Sequence, residues 1–131
     1  MRFKLFLGLL GVLLLQACET APKLDNFDSE AWKADRRACQ GQREMLVASL
    51  YKQRERLKGL NQGQIQLLLG KPDKQRLYER NQKFYYYYLK QGDHCQEAPA
   101  EKKMEAEKML QIRISAVDMA VELSFPKEYN K

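Results

Sequence analysis

Hydrophobic positions along the chain change their spacing several times, and each change marks a different segment. Leu5 to Leu15 is an unbroken apolar run behind Arg2 and Lys4. Its length suits a secretory signal core and falls short of the ~20 residues that span a bilayer. Residues 19–27, ETAPKLDNF, are polar and contain a proline, which predicts a tether. From there apolar residues recur at helical spacing. Trp32, Cys39 and Leu46 stand seven apart, and Leu50 and Leu57 fill the adjoining row of one stripe. Arg37, Glu44, Lys52, Glu55 and Arg56 occupy the other face. The pattern predicts one long helix over 29–58, capped by Asp28 or Ser29. Gly41 is its weak point, at ~1 kcal/mol relative to alanine, and the place for a bend.

Residues 60–73, LNQGQIQLLLGKPD, carry a denser local code. Asn61 suits an N-cap, and Gln64 three residues on can reach back to complete a capping box. Ile65, Leu68 and Leu69 form an apolar face, Gly70 stands where a left-handed residue ends a helix, and Pro72 stops it. A second helix over 62–69 follows. Strand patterns then take over. Residues 83–91 are aromatic and β-prone but do not alternate. As a strand they point Tyr85, Tyr87 and Leu89 one way and Phe84, Tyr86 and Tyr88 the other, with Leu89 marking the odd set as core. Residues 110–116, LQIRISA, alternate cleanly, and Val121, Leu123 and Phe125 make a third run. The link AVDMA lacks the Asn-Gly or Asp-Gly of a two-residue hairpin, so a longer loop is expected there. The charged stretch 97–109, EAPAEKKMEAEKM, reads equally as a helical turn or a loop. The expected fold is α+β: two N-terminal helices packed on one face of a three-stranded antiparallel sheet, in the order ααβββ.

The residues closing the apolar run change the picture. Leu15-Gln16-Ala17-Cys18 resembles a bacterial lipobox, with an aliphatic residue at −3, a small one at −1, then cysteine. That resemblance implies cleavage before Cys18, a diacylglycerol on its sulfur and an acyl chain on its amine. The alternatives are an ordinary signal with a coincidental cysteine, or a membrane anchor. Glu19 at +2 is not the aspartate of an inner-membrane retention signal, which points to the outer membrane; the periplasmic face is expected there, without a residue that fixes it. The chain then divides into a signal peptide at 1–17, a lipid-anchored tether at 18–28 and a domain at 29–131. Losing Arg2 and Lys4 with the signal lowers the formal charge from +6 to +4. So mild an excess suits anionic head groups or an acidic protein surface better than nucleic acid. Arg36, Arg37, Arg43, Arg54 and Arg56 are the candidates to meet lipid phosphates; the plainer reading is a charge-mixed helix face that is only solvated.

With Cys18 taken by lipid, Cys39 and Cys95 remain in an exported protein, where a disulfide is the natural reading and two buried thiols the alternative. A metal site lacks ligands: His94, beside Cys95, is the single histidine of the chain. There is no glycine-rich phosphate loop and no G-x-S-x-G elbow, and the carboxylates fall on charged helical faces. Neither a catalytic constellation nor a cofactor is implied.

Leu57 to Pro72, LKGLNQGQIQLLLGKP, resembles the motif of the SmpA/OmlA (BamE-like) family of outer-membrane lipoproteins. Asn61, Ile65, Leu69, Gly70 and Pro72 stand at the positions of its short capped helix and Leu-Gly-x-Pro stop. The aromatic strand Tyr85–Tyr88, the lipobox and the ααβββ order are also similar. The long helix before Leu57, the Cys39 and Cys95 pair and the insertion at 97–109 depart from the family. The resemblance implies a non-catalytic adaptor that docks another outer-membrane or periplasmic protein, such as the barrel-assembly machinery. Similar two-helix, three-strand modules occur in a secreted β-lactamase inhibitor, so an inhibitor-like or ligand-binding module unrelated to barrel assembly is the alternative. Phe84, Tyr86 and Tyr88 are the candidate protein-binding residues, as tyrosine is enriched at interfaces. The plainer reading is that tyrosine tolerates a wet sheet face.

Overall fold

The computed structural model describes residues 19–96 and 105–130. The expected signal peptide at 1–17, Cys18 and residues 97–104 lie outside them. The architecture is α+β: three helices and a four-stranded antiparallel sheet.

The single helix expected over 29–58 is broken in two. α1 is Ser29–Ala34 and α2 is Gln42–Lys52. Asp28, not Ser29, caps α1, accepting from the Ala31 N–H at 3.0 Å. The Ser29 hydroxyl instead donates to the Leu68 carbonyl at 2.5 Å. Between the helices Asp35 is fully buried, and its carboxylate accepts from the Gln40 N–H at 2.7 Å and the Arg43 N–H at 2.9 Å. It therefore caps α2 from seven positions upstream, satisfying amides that a continuous helix would have used itself. The chain gets there through left-handed backbone at Arg37, Ala38 and Gly41, with φ of 59°, 58° and 82°. After α2 a 3₁₀ turn, Arg54–Leu57, buries Leu57.

α3, Gln62–Leu69, forms as its sequence predicts. The Gln64 N–H donates to Asn61 Oδ1 at 2.8 Å and the Asn61 N–H to Gln64 Oε1 at 3.0 Å, which closes the capping box. Gly70 follows at φ 77°.

The sheet runs β1 (Lys74–Tyr78), β2 (Gln82–Tyr88), β3 (Met109–Ile114) and β4 (Ala120–Ser124), each antiparallel to its neighbour. The expected three strands become four because KQRLY is a strand with every residue exposed. No face of it is buried, so no alternation advertises it; charged residues of this kind are common on edge strands. Arg80 and Asn81 turn it into β2 with φ of 54° and 60°, a primed turn built without glycine.

The core lies between the helices and one sheet face. Trp32, Leu50, Leu57, Ile65 and Leu69 meet Tyr85, Tyr87, Leu89, Leu110, Ile112 and Ile114. The odd-numbered rings of β2 are thus core, as Leu89 implied. Leu24 and Phe27 are buried with them, so the domain begins before residue 29 and much of the expected tether is packed chain. Residues 115–119 form the expected loop between β3 and β4. A register shift at Arg113/Ile114 pairs Ile114 with Ala120. Ala120 therefore takes the core position expected for Val121, which points outward.

Candidate functional site

Antiparallel register fixes which side chains share the sheet face turned away from the helices. Phe84 stands between Arg76 and Arg113, Tyr86 between Lys74 and Gln111, and Tyr88 beside Met109. Tyr78 at the end of β1 contacts Phe84 edge-on with centroids 5.1 Å apart, and Phe84 stacks on Tyr86 at 6.1 Å. The three candidate rings do share this face, as expected, but their environments differ. Phe84 is half-buried. Tyr86 is 2% exposed and belongs to no open surface, a correction to its expected place. It is flanked in register on both sides and stacked on Phe84, as a central-strand residue would be. Tyr88 is covered by His94, whose ring stacks on it at 3.6 Å and 6°. Burial pushes the Tyr88 phenol above its ordinary range, with the Arg37 charge opposing.

What remains accessible is a row of Tyr78, Phe84, Lys74 and Arg76. The Lys74 and Arg76 side chains make no ion pair among the described residues, whereas Arg113 is held by Glu122 at 3.1 Å and Gln82 at 2.7 Å. Sequence reasoning missed Tyr78, Lys74 and Arg76 because it missed β1. The usable signal was a short residue run ending in Arg80-Asn81, a pair whose asparagine favours left-handed backbone.

The other end of the sheet is locked. Cys39 and Cys95 form a disulfide with Cα atoms 5.5 Å apart. Arg37 donates to the His94 carbonyl, and His94 Nε2 lies 2.6 Å from the Arg37 carbonyl. Beneath them Arg43, expected on a charged helix face, is buried with 2% exposure. It donates to Asp73 Oδ2 at 2.6 Å, the Tyr88 carbonyl at 3.1 Å and the Trp32 carbonyl at 3.1 Å. Its guanidinium lies 5.1 Å from the Trp32 ring centroid. Asp73 also accepts from the N–H groups of Tyr88 at 2.9 Å and Arg37 at 3.3 Å. Arg43 is therefore unavailable to lipid phosphates. Arg36, Arg37 and Arg56 are exposed.

Cys39, His94 and Cys95 bring potential ligand atoms within 4.8 Å of one another. The sulfurs are joined, so they offer no thiolates and the group is a cross-link beside one imidazole. A depression of about 650 Å³ opens nearby, between Tyr88, His94, Lys108 and Glu128. Two ion pairs line it, Lys90 with Glu128 at 3.2 Å and Lys108 with Glu105 at 2.8 Å. Among the described residues no helix is long and apolar enough to cross a membrane.

No protein-family model matches the chain, and neither the curated proteins nor the solved structures contain a match to it.

Proposed function

We propose that the protein is a lipid-anchored, non-catalytic adaptor on the periplasmic face of the outer membrane, acylated at Cys18. It docks another envelope protein through the outer face of its sheet. The observation that carries the docking role is the row Tyr78–Phe84 beside the unpaired Lys74 and Arg76: rings and cations on a face that the helices leave uncovered. Aromatic side chains supply large contact area at little entropic cost, and unpaired cations select an acidic counterpart. Tyr86, buried beside Phe84, and Tyr88, covered by His94, continue this face without touching the partner. The lipobox supports the anchor. The likeness of Leu57–Pro72 to SmpA/OmlA lipoproteins supports a partner in the barrel-assembly machinery.

The test is cross-linking and capture from solubilised membranes with the lipid intact. Barrel-assembly proteins should be recovered. Recovery of a soluble periplasmic protein alone, with normal barrel levels after deletion, would favour the inhibitor-like module. Replacing both Tyr78 and Phe84 by serine should abolish capture while shifting the thermal midpoint little, since neither ring is in the core cluster.

A further inference from the structure

Leu77 and Val117 are 79% and 77% exposed, the highest values among the large hydrophobic side chains that face solvent. They are forty positions apart in sequence yet sit at the same end of the sheet. Leu77 pairs with Lys83, and Lys83 pairs with Ile114 at the mouth of the 115–119 loop that carries Val117. A 3.3 Å ion pair between Lys83 and Asp118 ties the two turns together. Arg76 and Tyr78 flank Leu77 in β1 with their side chains on the other face, and Arg80 follows in the turn.

The start of the described chain lies at this same end. The Gln62 N–H donates to the Asp118 carbonyl at 2.8 Å, which places the first turn of α3 on the 115–119 loop. One helical turn covers the rest: Gln64 Nε2 donates to the Thr20 carbonyl at 3.0 Å, and the Glu19 carboxylate lies against Gly63. Cys18 is the next residue back. A residue adds at most ~3.8 Å between Cα atoms, so an acylated Cys18 holds this end, not the disulfide end, close to the lipid.

We propose that the β1–β2 and β3–β4 turns rest on the phospholipid surface, with Leu77 and Val117 entering between head groups and Tyr78, Arg76 and Arg80 at phosphate level. The inference rests on the lipid-anchor reading and specifies the orientation the anchor imposes. Two apolar tips alone would bind a bilayer weakly. Tethering turns their contact into an intramolecular one at high effective concentration, so weak insertion suffices to orient the domain. Basic side chains can keep their charge at the phosphates while their stems lie in the interface. Glu19 and Glu79 are the nearby carboxylates without an ion pair among the described residues, so the apolar tips rather than net charge carry the contact. In this pose the disulfide end points away from the membrane and the outer sheet face stands upright, open to a neighbour from the side.

The experiment uses the full acylated protein in vesicles of phosphatidylcholine and phosphatidylserine whose acyl chains are partly brominated. Leu77→Trp, Val117→Trp and Met45→Trp each add an exposed indole, and the native Trp32 is fully buried as a common background. Met45 lies in the first turn of α2, whose Arg43 bonds Tyr88 at the disulfide end. Loss of most of the added emission at positions 77 and 117, with none at position 45, supports the pose. Protein that floats with the vesicles but shows no quenching at the tips, or equal quenching at position 45, overturns it and leaves the anchor standing. Protein that neither incorporates palmitate nor floats brings down the anchor reading and this inference together.

Discussion

Arg43 illustrates how one residue can take the opposite role from its sequence neighbourhood. It belongs to a run of charged residues, yet it is buried, with its Nε and Nη1 donating to Asp73 and two carbonyls and its guanidinium set near the Trp32 ring. Removing either partner strands the other's charge away from water, which costs roughly 3–5 kcal/mol for a buried pair. Arg43→Met and Asp73→Ala should each lower unfolding free energy by about that much in urea titrations. The double variant should lose clearly less than the sum, because the second change removes the charge that the first left unpaired. A second residue-scale prediction concerns Tyr87, whose hydroxyl donates to the Gly70 carbonyl at 2.8 Å. Burial pushes its phenol far above the ordinary value, so in the folded state it stays protonated where an unfolded chain would ionise. The stability it contributes is complete below about pH 10 and is lost as pH rises past the unfolded value. Thermal midpoints should therefore fall above about pH 10, with this one group accounting for about 1 kcal/mol per pH unit. Burial raises Tyr88 and Tyr129 in the same direction, so Tyr87→Phe should flatten the decline without abolishing it. At neutral pH the same variant loses about 1 kcal/mol with its hydrogen bond.

At the scale of the element, the first helical region shows why apolar spacing and helix continuity are separate facts. Of the expected stripe, Trp32, Leu50 and Leu57 are fully buried, whereas Cys39 and Leu46 are only half-buried and Val47 takes the core position beside Leu46. What spacing does not encode is the buried Asp35 capping α2 and the left-handed residues before it. Gly41 is the N-cap of α2 at φ 82°, with open space where a Cβ would stand. Its replacement by alanine therefore meets no clash, only the left-handed backbone penalty of roughly 1–2 kcal/mol. Gly41→Ala should destabilise by about that amount, where a helix-interior glycine would have given a gain of up to ~1 kcal/mol. Equilibrium denaturation decides the sign. β1 makes the complementary point, because its place is set by pairing with β2 and by nothing buried.

For the whole molecule, the Cys39–Cys95 link joins the helix break to the chain leaving β2 across a separation of 56 residues. Closing a loop of that length restricts the unfolded chain by an amount worth about 4 kcal/mol in the chain-entropy model. Replacing both cysteines by serine, or reducing the native protein, should cost about 2–4 kcal/mol. The loss should be measurable as a lower urea midpoint with outer-face capture retained under native conditions. Cross-link, buried ion pair and stacked His94 make one end rigid, and the two exposed turns and the chain start occupy the other. The proposed membrane contact and docking face both rest on that polarity.

Much of this was legible in the residues because it is local or periodic. α3 with its capping box and Gly70, the alternation of β3, the odd-numbered core rings of β2 and the pairing of two cysteines follow from neighbours a few positions apart or from simple counting. The α+β class follows from the same patterns, and the packed Leu24 and Phe27 show where composition misled. What tertiary structure alone decided depends on residues distant in sequence meeting in space. Asp35 and Asp73 turn Arg43 from a surface charge into a buried one, and β2 recruits an edge strand that has no buried face. Strand register covers Tyr86, His94 covers Tyr88, and Phe84 is left half-buried. Periodicity records which side chains share a face, because backbone geometry fixes that locally. Whether a face is covered depends on what the rest of the chain lays over it, and only the folded molecule specifies that.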